Sequence, residues 1–283
     1  MSQSGTEPSL DDRPVLDVRD LWLTFTGRAG GAPIHVLEGV TIDVRRGEFV
    51  CIVGPSGCGK TTLLNVIGGF LEPTRGRVLV EGEAVRGPDP RRIFIFQEGG
   101  VFPWLTVRDN IGLGLLRMRR ADRARVVDRY VEMVGLAGFE RSYPRELSGG
   151  MRQRVEIARA LAANPEVLYM DEPFGALDYI TRFQMRSDLV RIWQAERKTV
   201  LFVTHDIDEA VQLADRVVVM GRRPATIRSV VGVDLPRPRD LQSPGFRAAR
   251  DQVFAAMGMN PATGGELAET IPAGAWESDG HPS

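Results

Sequence analysis

Everything else in this chain is organised around Gly54-Pro55-Ser56-Gly57-Cys58-Gly59-Lys60-Thr61. The stretch has the spacing G-x-x-x-x-G-K-[ST] of a phosphate-binding loop. Glycines let successive backbone N–H groups turn inward around phosphate oxygens. A helix entering at Lys60 presents its partially positive N-terminus to the same anion. Lys60 reaches the β- and γ-phosphates as a compact point charge. Thr61 offers Mg2+ a hard hydroxyl oxygen, and Thr62 continues the N–H cradle. The flanks agree with this. Phe49-Val50-Cys51-Ile52-Val53 is a continuous apolar run, as in a strand buried on both faces, and Leu63, Leu64, Val66 and Ile67 follow at helical spacing. Cys58 occupies a variable position of the motif and reads as a small filler rather than a nucleophile.

A phosphate loop needs an acidic partner for its metal. Asp171 ends the apolar run Val167-Leu168-Tyr169-Met170, where a magnesium-organising acid belongs. Glu172 follows at once. Adjacent side chains on a strand diverge, but at a strand end one acid can face the metal and the other an attacking water. A lone Asp-Glu pair is equally a helix cap. The strand before it, Pro173 after it and the phosphate loop elsewhere favour the catalytic reading.

Working outward, strands alternate with helices. Val15–Val18, Leu21–Phe25 and Val40–Val44 read as strands, as do residues 199–204 and 216–220, whereas 121–136, a run opened by Ser148 and ended by Asn164-Pro165, and 178–196 read as helices. That order predicts an α/β fold with a largely parallel sheet. Pro236-Arg237-Pro238-Arg239 reads as a linker, and Phe246, Val253, Phe254 and Met257 as one face of a further helix. Residues 1–14 and the Gly-, Pro-, Ala- and Ser-rich end from Asn260 are expected to be disordered.

The 283 residues carry a net charge of −1, so no excess of positive charge calls for a polyanion. No uncharged apolar run reaches the ~18–20 residues needed to cross a bilayer. The polar, acidic start MSQSGTEPSLDDR is not a signal peptide. Cys51 and Cys58 are too few for a disulfide framework or a zinc site, which fits a reducing compartment. Of 36 cations only Lys60 and Lys198 are lysine. Such a bias is expected of a GC-rich genome, and Lys60 has its own reason to remain lysine: a planar guanidinium fits poorly where a loop wraps a point charge.

Leu147-Ser148-Gly149-Gly150-Met151-Arg152-Gln153-Arg154 resembles the signature motif of the ATP-binding subunits of ABC transporters. Its local physics is legible: Ser148 can cap a helix, and two glycines expose N–H groups at that N-terminus, making a second phosphate site. The resemblance implies that this site, Ser148, Gly149 and Gly150, serves the ATP of a partner copy in a head-to-tail dimer. It implies a RecA-like P-loop NTPase core with a helical subdomain at about 98–160 and an N-terminal antiparallel β-subdomain, the ATP-binding domain covering 15–240 and a C-terminal helix and tail covering 241–283. Gln97, after Ile93-Phe94-Ile95-Phe96, resembles the family's glutamine loop, which touches Mg2+ and water. Gly175-Ala176-Leu177-Asp178 resembles its dimer-contacting loop, and His205 its switch histidine at the γ-phosphate. Phe25 aligns with the aromatic that stacks on adenine, with strand core as the alternative. The implied ATP-binding set is then Phe25, Gly54, Pro55, Ser56, Gly57, Cys58, Gly59, Lys60, Thr61, Thr62, Ser148, Gly149, Gly150 and Asp178. Thr61, Gln97 and Asp171 would hold Mg2+, and Glu172, His205, Gln97 and Lys60 would act in catalysis.

The 97–110 segment and the tail motifs at 221–227 and 235–240 are similar to those of nitrate, sulfonate and taurine importer ATPases. That implies a peripheral subunit on the cytoplasmic face of a bacterial inner membrane, working with transmembrane permease subunits and, indirectly, a periplasmic or lipoprotein solute-binding protein. Phe102-Pro103-Trp104-Leu105 is an apolar cluster; it either packs inside the helical subdomain or receives a helix of the membrane subunit. The competing classes are an exporter subunit and a soluble ABC ATPase acting on nucleic acid or ribosomes. Arg117, Arg119, Arg120, Arg123, Arg125 and Arg129 are interrupted by Asp122 and Asp128, as on a solvated helix face, so no nucleic-acid partner is expected. A GTPase is disfavoured because no Asn-Lys-x-Asp motif occurs.

Overall fold

The computed structural model describes residues 14–26, 31–97 and 99–261. The disorder expected of 1–14 and of the tail therefore falls, residues 14, 260 and 261 apart, outside the described residues.

Six strands form the central sheet, in the order β10-β9-β3-β8-β7-β6: β3 Phe49–Val53, β6 Arg92–Ile95, β7 Val167–Asp171, β8 Thr199–Val203, β9 Arg216–Met220 and β10 Ile227–Gly232. All neighbours run parallel except β10, which pairs antiparallel to β9. This meets the expectation of a largely parallel α/β sheet. Every residue of β3, β7 and β8 is buried, which is why these strands read as unbroken apolar runs rather than alternating ones.

The two faces of the sheet carry separate cores. Phe49, Cys51 and Val53 point into one, with Leu168, Met170, Val200 and Phe202. Val50 and Ile52 point into the other, with Tyr169, Leu201 and Val203. The first core is covered by α2 Val107–Ile111, α3 Arg120–Met133, α4 Gly149–Ala162, α5 Tyr179–Glu196, α6 Ile207–Leu213 and α7 Pro244–Ala256. The second is covered by α1 Lys60–Ile67 and by an antiparallel sheet of order β2-β1-β4-β5: β1 Leu16–Phe25, β2 Ile34–Val44, β4 Arg75–Val80 and β5 Glu83–Ala84.

Several details depart from the sequence expectations. The expected strands at 15–18 and 21–25 are one strand, β1, which begins at Leu16 and has register shifts at 18–21, and β2 starts six residues before the expected Val40. Residues 236–239 are no free linker. The Arg237 guanidinium lies 4.5 Å from the Trp193 ring centre and pairs with Asp215 at 2.7 Å. Arg239 is buried, and it donates to the carbonyls of Val211 and Ala214 (2.6 Å each), Val233 (2.9 Å) and Leu235 (3.3 Å). The first two close the C-terminal end of α6, where unsatisfied carbonyls concentrate partial negative charge. Helix α7 then packs Phe246, Ala249 and Val253 into the same core as α6. Lys198 donates to the side-chain oxygen of Asn164, the left-handed residue (φ +54°) just beyond α4.

Arg239→Met keeps the volume but strands these carbonyls. Its unfolding midpoint in urea should fall by the equivalent of about 1–3 kcal/mol.

Candidate functional site

The phosphate loop lies between β3 and α1, as expected. Gly57 and Gly59 have positive φ, +71° and +117°. At Gly59 a Cβ would also come within 3.0 Å of Val36 Cγ1, so conformation and packing both exclude a side chain there. Lys60 is 6% exposed and folds back over the loop, donating from Nζ to the carbonyls of Gly54 (2.9 Å) and Pro55 (3.2 Å). Those are neutral acceptors, and a phosphate oxygen is a better partner for an ammonium. The Cys58 side chain points into the core beneath the loop and is 2% exposed. Burial raises its thiol pKa above the ordinary range, against the opposing pull of Lys60. Cys58 is thus a buried filler, as its position in the motif suggested.

Asp171 ends β7 opposite Val203 of β8. It is 6% exposed, and its Oδ1 is buried without a hydrogen-bond partner. Burial raises its carboxyl pKa; the hydrogen bond with Thr61 and the charge of Lys60 work in the other direction. A buried carboxylate with an orphaned oxygen, beside a threonine hydroxyl at the head of a phosphate loop, is a donor set that suits a hard cation such as Mg2+.

Glu172 follows Asp171 directly but leaves the strand conformation. Its φ is +45°, a region costly for a residue with a long side chain. Its N–H still bonds Val203 (2.9 Å), and its carbonyl accepts the Gly175 N–H (3.0 Å). The left-handed turn breaks strand alternation at the point where alternation would have sent the two acids apart. Glu172 Oε2 lies 2.9 Å from Nδ1 of His205, which follows β8. Gln97, just past β6, lies against the same turn: a Cβ on Gly175 would be 3.5 Å from Gln97 Nε2. Lys60, Thr61, Asp171, Glu172, Gln97 and His205 are thus gathered at one end of the parallel strands.

The signature residues are apart from this group. Ser148 caps α4, accepting the Met151 N–H at 3.2 Å, and Gly149–Gly150 open the helix. A Cβ on Gly150 would meet Thr181 Cγ2 at 2.6 Å, so α4 packs on α5 closely enough that any larger residue would have to displace Thr181. The open space at this turn is lined by Ser148, Gly150, Met151, Arg154, Thr181, Gln184 and Met185, none of them from the phosphate loop. Asp178 caps α5 within its own chain, accepting the Thr181 N–H at 3.1 Å. Phe25, at the end of β1, is 40% exposed, which removes the strand-core alternative. Trp104 is 69% exposed, and its ring centre lies 5.5 Å from that of the half-buried Phe102, which removes the internal-packing alternative for Trp104.

Residues around His205 gave no signal in the sequence motifs. Thr204, Asp206 and Glu209 form one hydrogen-bonded turn with it, and Arg186 of α5 pairs with two of them. A weaker signal existed: Arg186 falls on the buried face of α5 with Met185, Leu189 and Trp193, and a charge there needs a partner.

A family model described as ABC transporter matches residues 37–175. An ATP-binding protein of Brucella abortus (strain 2308) is 50% identical over 226 residues, 78% of this chain and 87% of the relative. The nitrate import ATP-binding protein NrtD of Synechococcus elongatus is 47% identical over 216 residues, 75% of this chain and 79% of the relative. The aliphatic sulfonates import ATP-binding protein SsuB of Bacillus cereus is 46% identical over 221 residues, 78% and 88% of the two chains. Among solved structures, a dimeric post-hydrolysis state of an ATP-binding cassette bound to ADP and Pi superposes with a TM-score of 0.66 at 31% identity, covering 78% of this chain and all of that one. With the loop, the acid pair and the second capped turn in place, the chain belongs to the ABC transporter family, as one of its ATP-binding ATPases.

If Cys58 is filler, it and the fully buried Cys51 should resist maleimide labelling in the folded protein. Both should label rapidly in guanidinium, a contrast read directly by mass spectrometry.

Proposed function

We propose that this protein is the ATP-hydrolysing subunit of a bacterial ABC importer for a small anionic solute of the nitrate or sulfonate type. The observation that carries the ATPase part is the gathering of Lys60, Asp171, Glu172 and His205 at the ends of adjacent parallel strands. The import direction and the solute class rest on the likeness to the nitrate and sulfonate import subunits.

In this reading the N–H groups of residues 57–62 and Lys60 hold the β- and γ-phosphates, and Phe25 stacks on adenine. Thr61, Gln97 and Asp171 would hold Mg2+, which would neutralise phosphate charge. Glu172 accepts a proton from a water aligned for attack on the γ-phosphate. His205 donates towards the charge developing on that phosphate, so catalysis is chiefly positioning and electrostatics. Ser148, Gly149 and Gly150 offer their N–H groups to the ATP of a second copy. This is supported by the separation of the two phosphate sites within one chain and by the dimeric state of the similar cassette. Asp178 and its loop meet that second copy.

No helix among the described residues is long and apolar enough to cross a membrane, so transport in this reading requires separate permease subunits. They would bind at the cytoplasmic face of the inner membrane and receive solute from a binding protein. The exposed Trp104, with Phe102, is the proposed seat for a permease helix.

Glu172→Gln should bind ATP with near-native affinity yet turn it over about 10²–10⁴-fold more slowly, whereas Lys60→Ala should lose nucleotide binding in equilibrium dialysis. Trp104→Ala should keep the ATPase rate of the isolated subunit and lose co-purification with its permease; intact co-purification would remove the docking role.

A further inference from the structure

Arg186 is 7% exposed, in the second turn of α5, and its guanidinium faces two acids of another element. Its Nε donates to Glu209 Oε1 at 3.1 Å, and its Nη2 donates to Asp206 Oδ2. Each acid is committed through its other oxygen. Glu209 Oε2 accepts the Thr204 hydroxyl, and Asp206 Oδ1 accepts the Glu209 N–H at 3.0 Å. The Thr204 hydroxyl oxygen in turn accepts the Asp206 N–H at 3.0 Å. Both chain neighbours of His205 are therefore locked, while its own ring reaches out to Glu172.

For stability alone, a buried arginine between two carboxylates is a poor choice. Desolvation of three charges offsets much of their attraction, and apolar residues of similar volume commonly do as well. What the arrangement supplies is geometry. A planar fork with separate N–H groups spans two carboxylates at once and holds the turn in one orientation, which a point charge does not. In-line attack on a phosphate is sensitive to displacements of about 1 Å, so the orientation of this turn bears on turnover.

We propose that Arg186 is a positioning residue for ATP hydrolysis: by clamping Asp206 and Glu209 it sets the turn that aims His205 at Glu172 and the γ-phosphate. The proposal rests on the catalytic reading of His205 under the proposed function. Arg186 touches no reacting atom; it acts through His205. Helix α5 begins at the residue after Asp178, and one turn before Arg186 the side chain of Arg182 donates to the Leu177 carbonyl at 3.0 Å. The helix therefore ties the 175–178 loop to the His205 turn.

The test is a double-mutant cycle on the full-length chain, reading kcat, KM for ATP, ATP affinity by equilibrium dialysis, and thermal melting. Arg186→Lys keeps a buried positive charge but loses the fork. It should lower kcat about 10–100-fold while ATP affinity stays within about twofold. His205→Ala should lower kcat by about 10²–10³-fold. In the His205→Ala background, adding Arg186→Lys should cost less than about threefold more, because the residue it positions is gone. Asp206→Asn keeps the shape of the cap and weakens the clamp from the other side. It should give the same non-additivity and carries the test if Arg186→Lys melts below the assay temperature. Unchanged kcat in Arg186→Lys, or an equal loss with and without His205, would overturn the proposal while leaving His205 its role. Unchanged kcat in His205→Ala would remove the catalytic reading and this proposal together.

Discussion

The molecule depends on three adjacent strands, β3, β8 and β7, that are buried on both faces and held in parallel register. Ile52 is level with Val203, and Val203 with Asp171. Parallel strands point the same way, so the segments leaving their C-terminal ends all emerge at one edge of the sheet. The phosphate loop leaves β3, His205 leaves β8, and the acid pair closes β7. Residues more than a hundred positions apart thereby become neighbours without any loop having to reach. A slip of one residue in any of these ladders would exchange the two cores and carry the site residues out of line.

Given that register, the local chemistry of the strand ends is unusual in the same direction. Gly57 and Gly59 adopt positive φ to turn N–H groups inward. Glu172, which has a side chain to accommodate, adopts +45° and loses conformational energy by it. Asp171 keeps an oxygen buried and unpartnered. A chain selected only for stability would relieve both, so the strain and the orphaned acceptor fit a site built for a charged ligand. The turn around His205 is the counterpart: the Thr204, Asp206 and Glu209 side chains are all engaged, and the turn is tied to α5 through Arg186.

Much of this was legible beforehand. The uninterrupted apolar runs at 49–53 and 167–170 announced strands buried on both faces because that environment tolerates little else. The glycine spacing of the loop announced itself because backbone approach to phosphate leaves no room for Cβ. The 236–239 segment was misleading for an equally physical reason. Pro-Arg-Pro-Arg has the composition of a solvated linker, and nothing local reveals that Arg239 will find four carbonyls, two at the end of α6 and two just beyond β10. Arg186 carries no local signature of its role because its partners, Asp206 and Glu209, lie 20 and 23 positions away in sequence.

By itself, then, the order of residues determined the phosphate loop, the acid pair, the second capped turn and the alternation that builds the sheet. Each of these is a local pattern imposed by backbone sterics, burial or helix capping. Tertiary structure alone decided that Glu172 turns left-handed beside Asp171, that the turn around His205 is tied to α5, that Phe25 and Trp104 stay exposed, and that the segment 233–257 packs against the core. These outcomes depend on which distant groups satisfy a buried charge or carbonyl, and such pairing is settled by the packed fold rather than by neighbours along the chain.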